Sequence, residues 1–149
     1  MKTVQTIIDQ NGGLEALKEN GLKVKVPSYP SIMELVIEYI GEGPRGLPAV
    51  SVAHYFTQNG DLMRDPEMVF EVGDPTFGDF QWGPTYFRQD GGLAIEQEAV
   101  FTDPETKKVM VRPKLIKSLR SFARTWSKNL KAQGFLDADA TVEKIGSVF

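Results

Sequence analysis

Hydrophobic positions along the chain repeat with a helical period near both ends and with a period of two in the middle. Residues 1–21 place apolar side chains three or four positions apart, and this spacing predicts an N-terminal cap of short helices. Residues 22–112 alternate apolar and polar side chains over several runs, with a strong hairpin signal at Asn59-Gly60. They predict a mainly β region with a loop over residues 73–81.

Residues 113–133 give the clearest pattern, that of one long amphipathic helix that begins at Pro113 and is closed by Gly134. At about 100° of rotation per residue its apolar side chains gather on one side, which predicts packing by that side. Beyond it, residues 137–149 predict a short final helix, over 140–145, or a frayed tail. The apolar side of the long helix carries Leu115, Ile116, Leu119, Phe122, Ala123, Trp126 and Leu130.

Charged positions within the β region indicate how the sheet and the long helix fit together. Glutamates recur two or four positions apart in three predicted strands, so they share one face of the sheet, which we expect to be acidic and solvated. The opposite, apolar face is predicted to pack under the long helix. The acidic face carries Glu34, Glu38, Glu67, Glu71, Glu96 and Glu98, and the apolar face carries Leu35, Ile37, Phe70, Leu93 and Ile95.

These patterns together predict the fold class. Residues 1–149 are expected to form a single α+β domain, built on a curved antiparallel β-sheet. The long C-terminal amphipathic helix packs on one face of that sheet, and the short N-terminal helices complete the core.

The composition is that of an ordinary globular chain, with 41% hydrophobic and 25% charged residues. The absence of cysteine excludes disulfides, thiolate metal sites and a cysteine nucleophile. No run approaches the ~20 apolar residues of a membrane-spanning helix, and the N-terminus lacks the apolar segment of a signal peptide. We therefore expect a cytoplasmic protein that has no membrane partner.

Charge is distributed unevenly along the chain. The formal net charge is −3, yet the segment from Arg112 to Lys131 holds seven basic and no acidic residues, which leaves −10 on the remainder. Six of these cations lie opposite the apolar side of the long helix, a pattern typical of a surface that binds nucleic acid or an acidic protein. It is also typical of a solvated helix that balances an acidic body. This basic stripe comprises Lys114, Lys117, Arg120, Arg124, Lys128 and Lys131.

A second candidate site surrounds the single histidine, His54. The hairpin at Asn59-Gly60 returns the chain alongside it, and carboxylates with one imidazole suit Mg²⁺ or Mn²⁺ in phosphodiester hydrolysis. The alternative is a hydrogen-bonded core histidine, because His54 shares its strand face with Val50, Val52 and Phe56. The candidate metal ligands are His54, Asp61, Asp65 and Glu67.

The run Gly41-Glu-Gly-Pro-Arg-Gly46 has the spacing of a dinucleotide-binding loop. Such a loop must open a helix, whereas here Pro44 and Pro48 intervene and a strand follows. The run is therefore predicted to be a glycine-rich turn, and no cofactor is expected.

Two segments, Ser51–Glu71, which contains HYFTQNGDLMRDPE, and Leu119–Trp126, resemble an uncharacterised domain family of bacterial plasmids, integrative elements and phages. The resemblance covers residues 30–135. It implies a cytoplasmic accessory protein of mobile DNA, and it carries over no activity and no catalytic residue.

Three functional hypotheses follow. The leading one is a non-catalytic binding module that uses the basic stripe to bind nucleic acid or an acidic protein. The first alternative is a metal-dependent phosphodiesterase centred on His54. The second alternative is an inhibitor of a defence protein, with an acidic sheet face that imitates DNA. The sequence does not distinguish the three.

Overall fold

The computed structural model describes residues 1–73 and 82–146, so most of the loop predicted over 73–81 and the last three residues of the chain lie outside the described residues. The helices within these ranges are α1 (Lys2–Gln10), α2 (Gly13–Glu19) and α3 (Pro113–Ala132). The strands are β1 (Asn20–Lys25), β2 (Leu35–Glu42), β3 (Pro48–Gln58), β4 (Asp61–Val72), β5 (Trp82–Gln89), β6 (Ile95–Glu98), β7 (Val100–Thr102), β8 (Val109–Val111) and β9 (Thr141–Gly146).

Seven of the strands form one antiparallel sheet in the order β6-β5-β4-β3-β2-β1-β9, and β7 pairs with β8 in a separate ribbon. The sheet is open, with β6 and β9 at its two edges. One long helix and two short N-terminal helices accompany it. The predicted α+β class is therefore confirmed.

The hairpin between β3 and β4 forms at the predicted turn. Asn59 and Gly60 adopt φ angles of 52° and 82°, and such left-handed conformations match the twist of the flanking strands. Gln58 pairs with Asp61 at the end of the ladder. The register shifts between Ala53 and Tyr55, so the ladder is irregular beside the intervening residue of β3.

The apolar side of α3 packs on one face of the sheet, as predicted. Trp126 is buried in the same core cluster as Leu35, Ile37 and Phe70. At the edge of this cluster the Phe122 ring meets a β5 side chain, Phe87, edge to face with centroids 5.4 Å apart. The core thus fixes which side of α3 faces the solvent.

The packing does not extend to β6, where the prediction of an inner face was wrong. Ile95 is 43% exposed, and Leu93, in the turn before the strand, is 91% exposed. The physical reason is the position of β6 at the sheet edge, beyond β5, the strand that α3 contacts. Alternation along a strand identifies two faces but does not say whether another element covers either of them.

The opposite face of the sheet is less acidic and less solvated than predicted, because Glu71 has no exposed surface. Its carboxylate oxygen Oε2 accepts hydrogen bonds from the backbone N–H groups of Arg45 (2.9 Å) and Leu47 (3.3 Å). Arg45 belongs to the predicted glycine-rich turn and Leu47 directly follows it, so this segment folds over Glu71. A Cβ atom at Gly43 would lie 2.4 Å from Glu71 Cγ, so the turn approaches the side chain as closely as glycine allows.

The C-terminal segment also differs from the sequence prediction. Residues 140–145 were expected to be helical, but Thr141–Gly146 is strand β9, which pairs antiparallel with β1. The physical reason is that β1 needs a second neighbour for its backbone N–H and C=O groups, which the sequence pattern does not reveal. Val142 and Ile145 are β-branched residues that suit this pairing.

Candidate nucleic-acid interface

The structure places the basic stripe on the solvent side of α3. The helix rotates about 100° per residue, so the six cations span roughly a third of its circumference. Five of them are exposed, and Arg120 is half-buried. The exposed cations are Lys114, Lys117, Arg124, Lys128 and Lys131.

The other side chains on this side of α3 are small and polar. Ser118, Ser121, Thr125 and Asn129 are all exposed, and they alternate along the helix with the cations. Hydroxyl and amide groups, together with Lys and Arg, are the side chains that most often contact the sugar–phosphate backbone of nucleic acids. The surface therefore carries the set of donors suited to phosphate oxygens.

Five of the six cations of the stripe have no carboxylate partner among the described residues. Within residues 1–73 and 82–146, no carboxylate lies within 4.0 Å of the charged groups of Lys114, Lys117, Arg124, Lys128 or Lys131. The segment itself contains no acidic residue from Arg112 to Lys131. Their positive charges are therefore available to an external anion.

Helix α1 extends the basic surface beyond α3. The buried residue Thr3 accepts and donates hydrogen bonds with α3: its N–H donates to Ser127 Oγ (3.1 Å), and its Oγ1 donates to the Ser127 carbonyl oxygen (2.7 Å). The Ser127 hydroxyl in turn donates to Thr3 Oγ1 at 3.1 Å. This arrangement brings the exposed Lys2 beside the second half of the stripe.

A hollow of about 300 Å³ lies between the two helices at this place, and we call it the basic hollow. Four cationic side chains contribute to its wall, one from α1 and three from α3. Sequence reasoning missed this cluster because Lys2 is more than a hundred residues from its neighbours. The lining residues are Lys2, Thr3, Arg124, Ser127, Lys128 and Lys131.

His54 lies on the helix side of the sheet and inside the core. It is 6% exposed, and its Nδ1 donates a hydrogen bond of 3.0 Å to the Glu34 carbonyl oxygen. Its ring lies beside those of Trp126 and Phe135, with centroid distances of 5.6 and 5.9 Å. Burial lowers the pKa of His54, because the charged form loses hydration there.

The acidic residues grouped with His54 in the sequence do not surround its ring. Glu67 pairs with Ala53, the residue before His54 in β3, so Glu67 and His54 point to opposite faces of the sheet. Asp61 lies at the exposed end of the hairpin, and Asp65 Oδ1 accepts a hydrogen bond from Gln89 (3.0 Å). In the part of the chain that the structure describes, no three His, Asp or Glu side chains are grouped to hold a metal ion.

Glu67 instead belongs to the face of the sheet opposite α3. Its Oε2 accepts a hydrogen bond of 2.7 Å from Ser51 Oγ, and its Oε1 lies 3.0 Å from Arg64 Nε. Desolvation raises the pKa of the neighbouring Glu38, and the charge of Glu67 raises it further. The Glu67 carboxylate is thus engaged by a hydroxyl group and an arginine of the same sheet face.

A shallow groove of about 490 Å³ lies on this face, and sequence reasoning did not find it. Arg88 Nε donates to Asp90 Oδ1 at 2.7 Å, and Asp90 Oδ2 accepts the backbone N–H of Arg64 at 2.9 Å. The Tyr86 hydroxyl donates to Glu96 Oε1 at 2.8 Å, and burial with this hydrogen bond raises the pKa of Tyr86 to about 12. In the sequence, Tyr86, Arg88 and Asp90 stand at alternate positions and so share one strand face. This pattern is the signal that could have indicated the groove.

Part of the charge on this sheet face is paired. The hydrogen bonds from Arg64 and Arg88 lower the pKa of Asp90, so its carboxylate stays ionised and paired. A face whose carboxylates are partly paired with arginines presents less net charge to a partner than a face of unpaired charges of one sign. The basic stripe is therefore the stronger candidate for an electrostatic interface.

Comparison with known proteins gives one match. Residues 2–136 match the profile of the family described as Domain of unknown function (DUF6908). No curated protein and no solved structure matches the chain. Among the described residues, none of the helices has the length and apolar character needed to cross a membrane.

Proposed function

We propose that this chain, which belongs to the DUF6908 family of domains of unknown function, is a non-catalytic module that binds nucleic acid through the basic stripe of α3. The observation that carries the proposal is a helix face in which exposed cations alternate with hydroxyl and amide side chains, without an acidic residue. Phosphate contacts of this kind supply most of the affinity in non-specific binding.

Nucleic acid fits this face better than an acidic protein does. Protein interfaces centre on aromatic or aliphatic side chains that become fully buried, surrounded by a polar rim. The stripe has no such centre. Phe122 is the partly exposed aromatic residue of α3, and it lies off the stripe, where its ring contacts Phe87 and Trp126.

The start of α3 supports a functional reason for the stripe. Lys114 lies in the first turn, where the helix dipole disfavours a cation by about 0.3–1 kcal/mol, and Lys117 lies in the second turn, where the effect is weaker. The N-terminal turn contains no acidic residue and no side-chain cap. Helix stability alone would favour the opposite choice of charges, whereas binding an anion favours this one.

The acidic remainder of the chain limits the affinity. A charge of −10 outside the segment 112–131 repels a polyanion, so we expect dissociation constants of roughly 10⁻⁴–10⁻⁶ M at moderate salt, the range of non-specific binding. The resemblance of Ser51–Glu71 to proteins of mobile genetic elements supplies the proposed setting. In that setting the chain serves as a cytoplasmic accessory protein that engages the DNA or RNA of the element.

The other two functions have less support. A phosphodiesterase centred on His54 would need Glu67 on the same side of the sheet, and the register places it on the other side. A DNA mimic would need a sheet face of unpaired carboxylates. Glu71 is buried under the turn, and Glu67 and Asp90 are paired with arginines.

The test is a titration of labelled duplex and single-stranded DNA at ~50 mM salt, where Coulomb attraction is only weakly screened. We expect wild-type binding with a steep salt dependence, and replacement of Lys117 and Lys128 by glutamine should reduce the log–log slope by about 1.8. The control replaces two exposed lysines elsewhere, Lys108 and Lys144, and removes the same charge. If neither DNA binds more tightly than ~100 μM, the proposal fails and an acidic protein becomes the better candidate.

A further inference from the structure

The basic hollow brings one cation of α1 together with three cations of the stripe. Lys2, Arg124, Lys128 and Lys131 line one space of about 300 Å³, whereas the remaining cations of α3 follow one another along the exposed helix. Among the residues that the structure describes, no carboxylate lines this hollow. Four cationic side chains around one recess repel one another, and an anion bound among them relieves that repulsion.

The hollow is built into the fold. Its other two lining residues, Thr3 and Ser127, are buried and joined by three hydrogen bonds of 2.7 to 3.1 Å between α1 and α3. These bonds hold the two helices, and hence the backbone positions of the surrounding cations, in a fixed relation. A site formed before binding loses less conformational entropy when the ligand arrives.

The shape and charge of the hollow distinguish between kinds of phosphate. A phosphomonoester carries a charge of about −1.5 to −2 near pH 7, whereas a phosphodiester carries one negative charge, so the monoester gains more from four cations. The hollow has the volume that roughly ten water molecules occupy in the liquid. It can therefore hold a phosphate group and part of the attached sugar. A recess between two helices suits the end of a strand better than its continuous backbone.

We infer that the basic hollow binds the phosphomonoester group of a nucleotide, as a free nucleoside monophosphate or as the 5′-phosphate at the end of a nucleic-acid strand. The strand form of this inference rests on the proposed function, because the rest of the stripe would then bind the phosphodiesters that follow. In both forms the direct contacts come from the four cationic side chains.

The experiment compares two single-stranded oligonucleotides of one sequence, labelled at the 3′ end and carrying either a 5′-phosphate or a 5′-hydroxyl. We expect the wild-type protein to bind the phosphorylated strand about tenfold more tightly, the effect of one further set of charge-assisted contacts. Lys2→Gln with Lys131→Gln should abolish this ratio. Lys114→Gln with Lys117→Gln removes the same charge outside the hollow. This variant should bind both strands more weakly, while the affinity ratio between the phosphorylated and the hydroxyl strand persists.

A second arm titrates a nucleoside 5′-monophosphate and follows the melting temperature, with the unphosphorylated nucleoside as the control. The monophosphate should raise the melting temperature of the wild type but not that of the Lys2/Lys131 variant. This result supports the hollow as a phosphomonoester site even if no strand binds. Strand binding with equal affinity for both ends and no such rise overturns the inference while the proposed function stands. Circular dichroism of each variant shows that the fold is retained.

Discussion

The imidazole of His54 and the indole of Trp126 lie 5.6 Å apart between ring centroids and are inclined by 60°. One residue belongs to the central part of the sheet and the other to the buried side of α3. The contact therefore links the sheet core to the helix whose opposite side carries the basic stripe. Any change that loosens this contact also affects the orientation of the cations.

Trp126→Ala should lower the free energy of unfolding by about 3–5 kcal/mol, because it removes a large buried side chain that contacts His54 and Phe122. Urea melts followed by circular dichroism measure the loss. Thr125→Ala, at the neighbouring exposed position, is the matched control and should change stability by less than about 0.5 kcal/mol. A loss below about 1 kcal/mol for Trp126→Ala would contradict the packing described for α3.

His54 should make the stability of the fold depend on pH. Burial lowers its pKa from 6.5, an effect that outweighs the hydrogen bond to Glu34 and the nearby charge of Asp65. Above pH 6.5 the imidazole is mostly neutral in both states. As the pH falls below that value the unfolded chain binds the proton first, so the free energy of unfolding decreases until the pH passes the folded-state pKa.

The measurement is a comparison of urea melts of the wild type and His54→Asn between about pH 5 and 7.5. Asparagine retains an N–H donor for the Glu34 carbonyl oxygen but does not titrate. The difference in stability between the two proteins should change with pH below 6.5 and stay constant above it. A difference that is flat across the whole range would show that the histidine is hydrated in the folded state.

Gly43→Ala should destabilise the turn that covers Glu71. The new Cβ would lie 2.4 Å from Glu71 Cγ, and the turn must then lift or the buried carboxylate must move, at a cost of about 1–3 kcal/mol. Gly146→Ala is the control, since a Cβ at that position meets nothing within 4 Å. Thermal melts of the two variants compare the effects, and equal melting temperatures would refute the close approach.

Val142→Pro distinguishes the strand β9 from the helix that the sequence predicts over 140–145. Val142 pairs with Val24 of β1, and proline within a ladder removes a donor and disturbs the pairing, so we expect a loss of stability. In the first turn of a helix proline is well tolerated. Val142→Thr, which retains the β-branched shape, is the control, and hydrogen exchange at β1 amides reports the pairing directly. Unchanged protection of those amides in the proline variant would rule out β9 as their partner.

The elements that the sequence predicts well are those defined by neighbours in the chain. Helix α3 begins at Pro113 and is followed by Gly134, whose φ of 99° is the left-handed conformation that ends helices. The hairpin turn at Asn59-Gly60 is equally local, since its two residues set its geometry. In both cases the residues that give the sequence signal are the same residues that form the structural feature.

The features that escape sequence reasoning depend on residues far apart in the chain. Glu71 has the spacing of a solvent-exposed glutamate, and it is buried because Arg45 and Leu47 donate to it from a turn more than twenty residues away. The basic stripe could be found from its period, but the basic hollow could not, because Lys2 joins it from α1. The hydrophobic pattern of a helix or strand shows which of its faces is apolar, but it does not show which other element covers that face.

The hydrogen bonds between Thr3 and Ser127 also bear on how the protein is made, because the two residues are 124 positions apart. Ribosomes add ~5–20 residues per second, so Thr3 is synthesised roughly 6 to 25 s before its partner. During this interval Val4 and Ile7 lack the α3 side chains that belong to the same core cluster in the finished fold. The nascent chain therefore completes this core only after α3 has been synthesised, and the apolar side of α1 stays uncovered by α3 until then.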